Sequence, residues 1–272
     1  MRKISIFLTA PFRELADNWQ MVREMTKREI LGRYRGSGFG LWWSLLSPFM
    51  MLLVYTFAFG TVMGGRWQES GAEGASFSIV LFSGLIVHGF FAECFGRAPM
   101  LVLGNLNLVK KVVFPLGILP WPLIGSALFH ALMNIFVFVL LRWFLDRDFD
   151  WTIIFLPVVW MPLVFLVLGV VWVFSSLGVY FRDLVQVTGV VVMGMLFLSS
   201  AIVPLSAIPE GYRWIYKMNP LTFIIDQSRD VMMFGVAPDW LGLGAYSVVS
   251  IFVFYIGYAW FSFSRRGFSD VL

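Results

Sequence analysis

The first candidate for chemistry is a pair of arginines that flank a tyrosine, Arg33-Tyr34-Arg35, at the end of an amphipathic segment. A guanidinium group binds phosphate oxygens through two parallel hydrogen bonds, so two of them close together suit a pyrophosphate. The corner that follows is rich in glycine, at Gly36, Gly38 and Gly40, which leaves the backbone free to bend. The alternative is that these arginines anchor the chain beside a membrane, as basic residues commonly do there.

A second group consists of polar residues inside long apolar runs, namely His88, Glu93, His130 and Asn134. A carboxylate at the centre of a bilayer costs roughly 2.5–3.5 kcal/mol on insertion scales. We therefore expect His88 and Glu93 to face protein or water. His130 and Asn134 are four residues apart, and hydrogen bonding between helices explains that pair as well as any chemistry does.

Several kinds of active site are excluded by the motifs that the chain lacks. The sequence contains no G-x-x-x-x-G-K-[ST] phosphate loop, no H-E-x-x-H and no G-x-S-x-G. Cys94 is the single cysteine, and the chain has two histidines, so neither a disulfide framework nor a Cys- or His-rich metal centre is expected. We expect no cofactor on this chain, and any energy must come from a gradient or from a separate subunit.

The composition places these residues in a membrane protein. Apolar residues make up 59% of the chain and charged residues 13%, about half the charged fraction of a typical soluble domain (roughly 25%). Because the apolar runs are continuous and not alternating, we predict an all-α polytopic membrane protein with a single transmembrane domain. The six predicted spans are residues 41–64, 77–95, 118–141, 151–181, 185–202 and 241–263.

Basic residues decide the predicted orientation. With both termini in the cytoplasm, fourteen of the twenty Lys and Arg residues lie on the inner side. Residues 11–35 then form an amphipathic helix in the inner interface, or alternatively a soluble cap helix. Residues 203–239, between the fifth and sixth spans, contain four prolines separated by semi-apolar runs. We predict two short helices there, at the outer leaflet, in preference to an irregular loop. Membrane lipids are the expected partners of the basic stretches, and nucleic acid is not.

Three segments resemble a known family. The segment from Lys27 to Trp43, KREILGRYRGSGFGLWW, with Pro48 and Tyr55 downstream, closely resembles the opening of bacterial polysaccharide ABC exporter permeases. The segment 105–115, NLNLVKKVVFP, is similar to the cytoplasmic loop of that family between its second and third spans. Asn219-Pro220-Leu221, followed by Arg229, is similar to its late extracytoplasmic motif.

The resemblance implies a homodimer that exports a lipid-linked polysaccharide, O-antigen first among the candidates, across the bacterial inner membrane. Two copies of a separate cytoplasmic ATPase, which carries ATP and Mg, supply the energy. Residues 104–114 would contact that ATPase, because apolar side chains exposed on a cytoplasmic loop are normally buried against a partner. The implied coupling residues are Leu106, Leu108, Val109, Lys110, Lys111 and Val112. The alternative is that this loop packs against its own subunit.

The resemblance also assigns roles to other residues. Arg33, Tyr34 and Arg35 would receive the pyrophosphate of the lipid carrier. A gate on the extracytoplasmic side would contain Tyr212, Trp214, Asn219, Pro220 and Arg229. Sugar rings rest their apolar faces on aromatic rings, and the candidates that line the channel are Tyr55, Phe59, Phe90, Phe91 and Glu93. The alternative is that these aromatic residues simply fill membrane helices.

Other functions stay open at this stage. The cargo could be a capsular polysaccharide or a teichoic acid, and a permease of the same broad class could move a drug or haem. A membrane transferase that acts on polyprenyl-linked sugars is the alternative from another class. Such an enzyme needs an acid or base near the membrane surface. In the sequence, no acidic pair accompanies His130 and Asn134.

Overall fold

The computed structural model describes residues 2–58, 77–109, 114–145, 150–203, 205 and 208–268. Within these ranges the regular structure is helical, and no strand occurs. The α-helices are α1 (Arg2–Asp17), α2 (Trp19–Tyr34), α3 (Trp43–Tyr55), α4 (Phe77–Arg97), α5 (Leu106–Val109), α6 (Pro120–Leu145), α7 (Leu156–Tyr180), α8 (Leu184–Phe197), α9 (Arg213–Met218), α10 (Pro220–Met233) and α11 (Trp240–Ser264). Short 3₁₀ turns occupy Gly40–Trp42, Ala98–Met100, Leu103–Asn105, Leu116–Ile118, Trp151–Phe155, Glu210–Tyr212 and Arg265–Gly267.

Five helical stretches in the described part of the chain are long and apolar enough to cross a membrane. They are Gly40–Ala58, Ser78–Met100, Leu116–Phe144, Trp151–Tyr180 and Trp240–Gly267. The fifth predicted span, 185–202, corresponds to α8, which has 14 residues. At about 1.5 Å per residue this helix is about 21 Å long, shorter than the ~30 Å hydrocarbon core. The all-α prediction is therefore confirmed for the described ranges, whereas the count of six spans is not established.

The second span, α4, lies at the centre of the helix bundle. Of the most apolar window in this span, 72% is buried inside the protein, a larger share than in any other candidate span. It packs against α6 on one side and against α8 and α10 on the other. Because α4 is enclosed by protein, its charged residues need partners from neighbouring helices.

The N-terminal segment forms two helices that meet at Asn18. The predicted interfacial region 11–35 covers the end of α1 and all of α2. The Asn18 side chain bonds back to the Glu14 carbonyl, with Nδ2 2.9 Å from that oxygen. After α2 the chain turns through Gly36 and Gly40, whose φ angles of 85° and 52° disfavour any residue with a Cβ. This corner sets the angle between α2 and α3, and so the position of Arg33, in the last turn of α2, relative to α3.

Two helices also occupy the segment between α8 and α11. The side chain of Asn219 accepts a hydrogen bond from the amide of Leu221 at 2.9 Å, and Pro220 follows as the first residue of α10. This is a standard N-terminal cap, with proline where no amide hydrogen is needed. Ile224 and Ile225 on α10 are completely buried, so α10 packs into the bundle. By contrast, Trp214 and Met218 on α9 are exposed.

Candidate functional site

A pocket with a volume of about 420 Å³ lies between α3, α4 and α6 and ends at the C-terminus of α2. We call it the α3–α4–α6 pocket. It combines residues from two of the predicted groups: Arg33 and Tyr34 from the pyrophosphate site, and Tyr55, Phe90 and Glu93 from the channel lining. Trp43, Ser44, Ser47, His130 and Asn134 are also on its wall. One pocket therefore offers both cationic and aromatic contacts.

Four charged residues form a ladder between α2 and α4 at one end of this pocket. Arg33 Nη1 on α2 lies 2.8 Å from Glu93 Oε1 on α4, and Arg97 on α4 pairs with Glu29 on α2. Within each helix the two residues are four positions apart, so they share one face. Arg97 Nη1 also lies 3.6 Å from Glu93 Oε1, which joins the two rungs. We call Glu29, Arg33, Glu93 and Arg97 the ion ladder.

His130 on α6 extends the ladder to a third helix. Its Nδ1 atom lies 3.0 Å from both carboxylate oxygens of Glu93 and 3.0 Å from Arg33 Nη1. Arginine can only donate and a carboxylate can only accept, so Nδ1 can satisfy one of these neighbours. The two contacts with Glu93 favour the tautomer in which Nδ1–H donates to the carboxylate. The buried Nε2 atom then has no hydrogen-bond partner among the described protein groups.

Tyr34 lies beside this cluster. Its ring meets the His130 ring edge-on, with centroids 6.0 Å apart and an interplanar angle of 80°. Burial raises the pKa of the Tyr34 hydroxyl above its ordinary value, although the charge of Arg33 acts in the opposite direction. The phenol is therefore neutral at physiological pH and keeps its O–H as a hydrogen-bond donor.

Arg35, the third residue of the predicted pyrophosphate site, lies outside the pocket. It follows the last residue of α2, and its backbone amide donates to the Gly32 carbonyl at 3.4 Å. The residue is exposed and does not line the pocket. The chain leaves the helix at this point, so Arg33 and Arg35 do not share a face. The structure thus brings together Arg33 and Tyr34 but not the predicted pair of guanidinium groups.

Only some of the residues predicted to line the channel lie in this pocket. Tyr55 and Phe90 line the pocket, and Phe90 packs against Trp160 with ring centroids 5.6 Å apart. Phe91 does not line this pocket. Like Phe90 it is 2% exposed, and its ring stacks on Phe95 with centroids 5.2 Å apart. Phe59 lies outside the described residues.

The predicted coupling segment begins as a short helix. Asn105 Nδ2 donates to the Leu101 carbonyl at 2.8 Å, and α5 follows directly. Leu106 is 36% exposed. The backbone of Leu108 and Val109 belongs to α5, whereas their side chains and all of Lys110, Lys111 and Val112 lie outside the described residues. A pocket of about 450 Å³ lies beside this segment and includes Arg28, Glu29 and Arg97.

The predicted extracytoplasmic gate contains two kinds of residue. Tyr212 and Trp214 are 63% and 60% exposed. Asn219 and Arg229 are buried, and Pro220 starts α10 between them. Besides capping α10, Asn219 donates from Nδ2 to the carbonyls of Met195 and Leu198, each at 3.0 Å. It thereby ties the end of α8 to the start of α10.

Arg229 holds three chain segments together, in what we call the Arg229 clamp. Its Nη1 donates to the Ser200 carbonyl at 2.6 Å, its Nη2 to the Ala201 carbonyl at 2.9 Å, and its Nε and Nη2 to the Val80 carbonyl at 3.3 and 3.2 Å. Nε also contacts Ser83 Oγ at 3.3 Å. The residue is 3% exposed, so these contacts are shielded from water. These acceptors all belong to the protein itself, and Arg229 does not line the α3–α4–α6 pocket.

Sequence reasoning missed Glu29, Arg97 and the contact between Glu93 and His130. The spacing Glu29–Arg33 on one helix and Glu93–Arg97 on another was the available signal, since the order of charges is complementary when the helices run antiparallel. His130 could not be assigned in this way, because its spacing to Asn134 says nothing about α4. The sequence shows no acidic pair beside His130 and Asn134, and the structure brings one carboxylate, that of Glu93, to His130.

The family comparison identifies the class of this apolar helical bundle. The chain belongs to the ABC-2 type transporter family, whose model matches residues 20–233. It is a multi-pass integral membrane protein of that class. Among its relatives, it is 26% identical to an O-antigen export system permease protein RfbA of Klebsiella pneumoniae, over 91% of this chain and 93% of that protein.

Two further relatives agree in length and class. An O-antigen export system permease protein RfbA of Myxococcus xanthus is 24% identical, over 95% of this chain and 97% of the relative. The polysialic acid transport protein KpsM of Escherichia coli is 27% identical, over 88% of this chain and 91% of the relative. The predicted family is confirmed, and the matches extend over nearly the full length of these relatives.

Proposed function

We propose that this chain is the membrane-spanning permease of an ABC transporter that exports a lipid-linked polysaccharide across the bacterial inner membrane. The named activities of its relatives support a polysaccharide cargo. The observation in the molecule that carries the proposal is Arg33, half-exposed at the mouth of a pocket whose walls include Tyr55, Phe90 and Trp43. A lipid-linked glycan carries a diphosphate, which suits Arg33, followed by sugar rings, which suit the aromatic walls.

Each part of the pocket has a role in this proposal. The Arg33 guanidinium binds oxygens of the diphosphate, and the neutral Tyr34 hydroxyl donates a further hydrogen bond. Tyr55, which is partly exposed, offers a ring face to the sugars, a contact that tolerates a sliding chain because no fixed hydrogen-bond geometry is needed, and the buried Phe90 forms the wall behind it. Glu93 holds Arg33 in the absence of cargo. Arg35, which lies outside the pocket, serves as a basic anchor at the headgroup level.

The energy comes from a partner protein in this proposal. Two permease copies form the channel, two copies of a cytoplasmic ATPase dock on them, and ATP and Mg reside on that partner. Both termini and residues 104–114 face the cytoplasm, as the basic-residue count favours. The segment 203–239 faces the outside, where the exposed Tyr212 and Trp214 lie near the exit. Leu106, the exposed apolar residue of α5, begins the surface offered to the ATPase.

A depletion experiment tests the cargo. When the chain is depleted in its native host, we expect surface polysaccharide to disappear and lipid-linked polysaccharide to accumulate inside the cell. Re-expression should restore the surface glycan. The chemical identity of the accumulated glycan then distinguishes O-antigen from capsular polysaccharide and teichoic acid. Unchanged surface polysaccharide after complete depletion contradicts the proposal.

An association experiment tests the coupling segment. We expect Leu108→Asp to reduce co-purification of the ATPase at least several-fold, because a charge on α5 disfavours an apolar contact. Leu31→Asp, at an exposed leucine of α2, is the matched control and should leave co-purification unchanged. Equal recovery of ATPase with both variants shows that residues 104–114 do not form the contact.

A transferase is the second candidate, and one contact favours it. The Glu93 carboxylate and the His130 imidazole are 3.0 Å apart, and such a pair can transfer a proton. Family membership weighs against it, because ABC-2 type chains are transporter subunits. Sugar transfer by the detergent-purified chain, with no ATPase present, is the result that would establish the enzyme and overturn the permease proposal.

A further inference from the structure

Arg33 already has an anionic partner in this structure. Its Nη1 atom lies 2.8 Å from Glu93 Oε1, so Glu93 occupies one of the guanidinium donors that a phosphate could use. The ion ladder contains two arginines and two glutamates, so its formal charge is zero. A diphosphate that approaches the closed ladder therefore meets balanced charge and competes with Glu93 for Arg33.

We propose that Glu93 is an internal substitute for the cargo phosphate, a latch that a lipid diphosphate opens by exchange. This inference rests on the proposed function, because it takes Arg33 as the diphosphate ligand. When the diphosphate binds Arg33, the Glu93 carboxylate stays in place and keeps two other partners. His130 Nδ1 is 3.0 Å from both of its oxygens, and Arg97 Nη1 is 3.6 Å away.

The two ends of the latch differ in exposure, which favours the exchange. The Arg33 side chain is 54% exposed, whereas those of Glu93 and His130 are 14% and 12% exposed. A ligand can therefore reach the guanidinium, while the carboxylate remains enclosed with its remaining donors. An ion pair with one solvent-exposed partner is weak, so the exchange of one anion for another costs little.

The second rung of the ladder keeps the helices together during this exchange. Arg97 and Glu29 join α4 to α2 one helical turn from the first rung. When Arg33 turns to the diphosphate, α2 is held to α4 by one ion pair instead of two. Cargo binding thus loosens the attachment of α2, the helix that connects the N-terminal segment to the glycine corner.

Binding of short diphosphates to the purified exporter complex tests the latch. The probes are farnesyl diphosphate, inorganic pyrophosphate and farnesol, measured by calorimetry in detergent. We expect Glu93→Gln to bind both diphosphates up to about fivefold more tightly, because the carboxylate that competes for Arg33 is removed and fivefold corresponds to about 1 kcal/mol. Farnesol binding should not change. Glu24→Gln, at an exposed glutamate of α2, is the charge-matched control and should behave as the wild type.

The possible outcomes separate the latch from the site itself. If Glu93→Gln binds diphosphates no more tightly than the wild type while Arg33→Gln loses binding, the latch is wrong and the Arg33 site stands. If Arg33→Gln binds as tightly as the wild type, the proposed diphosphate site is wrong. An equal gain for farnesol and the diphosphates also overturns the latch, because phosphate exchange cannot explain it.

A second variant covers the case in which Glu93→Gln is not recovered as a folded protein. Glu93→Asp keeps the negative charge but shortens the side chain by one methylene, which lengthens the contact between the carboxylate and Arg33. We expect tighter diphosphate binding in the same direction, about two- to threefold. Unchanged affinity in this variant, with a normal melting temperature, overturns the latch.

Discussion

Arg33 and Arg229 both connect helices through hydrogen bonds, but they bind different kinds of acceptor. Arg33 pairs with the side chain of Glu93 and is 54% exposed. Arg229 is 3% exposed and donates mainly to backbone carbonyls, those of Val80, Ser200 and Ala201. A carboxylate can be exchanged for a phosphate, whereas a backbone carbonyl of a folded segment has no equivalent in a ligand. The first arginine is therefore suited to bind cargo and the second to hold the fold.

This difference shows that a motif does not reveal the role of its arginine. Both residues lie in segments that resemble the same family, and both were assigned to functional sites from the sequence. What separates them is burial and the chemistry of the acceptors, which only the packing of helices determines. Variants at and around the two arginines test whether Arg33 and Arg229 differ in role, and thermal stability is the first quantity to measure.

The largest loss of stability is expected for Arg229→Met. Removal of the guanidinium leaves the buried carbonyls of Ser200 and Ala201 without this donor, whereas the Val80 carbonyl keeps Ser83 Oγ as a donor at 2.7 Å. Loss of one partner of a buried charged contact typically costs about 3–5 kcal/mol. We expect a strongly reduced melting temperature and low recovery of folded protein. Arg182→Met, at an exposed arginine, is the control. A stable Arg229→Met protein that fails to export would place Arg229 among the functional residues and end the comparison.

An intermediate loss is expected for Gly84→Ala, on the α4 face that receives the clamp. A Cβ at this position would lie 2.6 Å from Arg229 Nη2 and 2.9 Å from the Cα and carbonyl oxygen of Ala201. The backbone at Ala201 would have to shift, at a cost of about 1–3 kcal/mol. Gly89→Ala on the same helix is the matched control, because nothing lies within 4 Å of its Cβ. The control should melt at or slightly above the wild-type temperature.

Equal melting temperatures for Gly84→Ala and Gly89→Ala would show that the contact between the clamp and α4 is loose. The assignment of Arg229 to the fold would then need a different basis. A large difference between the two variants supports the assignment without any change at Arg229 itself.

The smallest loss of stability, with the largest loss of export, is expected for Arg33→Gln. Its ion pair is exposed and contributes at most about 1 kcal/mol to folding. We expect normal insertion, a melting temperature within a few degrees of the wild type and normal ATPase co-purification. Surface polysaccharide, measured on intact cells, should be lost. A stable variant with full export contradicts a role for Arg33 in cargo binding.

Arg35→Gln is the charge-matched variant with which Arg33→Gln is compared. The residue has the same charge and lies two positions away, but it is outside the pocket. We expect export to fall far less than with Arg33→Gln, by no more than about twofold, since its contribution is that of a headgroup anchor. Equal loss of export in both variants would restore the predicted pair of guanidinium groups.

Much of the fold could be predicted from the sequence because apolar runs of about 20 residues have one stable solution in a bilayer. The long spans, the glycine corner and the two helices between α8 and α11 follow from such local signals. The length of α8 could not be predicted in this way. Its apolar residues continue past Phe197 into a buried turn at Ser199 and Ser200, and hydropathy does not distinguish that turn from a helix.

The site was predictable in part for a related reason. Arg33, Tyr34 and Glu93 were identified by residue type in an unusual position, and the structure brings them together. The roles of Phe91 and Arg229 depend on which side of a helix meets which neighbour, and apolar runs in membrane helices carry almost no periodicity to indicate this. His130 could not be paired because its partner is 37 residues away in sequence, on another helix.

The three hydrogen bonds of Asn219 have a mechanical consequence. One small amide group joins carbonyls at the end of α8 to the first turn of α10, so the two helices are tied together although α9 lies between them in sequence. Any widening of the bundle at α8 must carry α10 with it. Since Arg229, on α10, is fixed to the start of α4, such a movement reaches the second span. A displacement of α8 is therefore transmitted to α10 and, through Arg229, to α4.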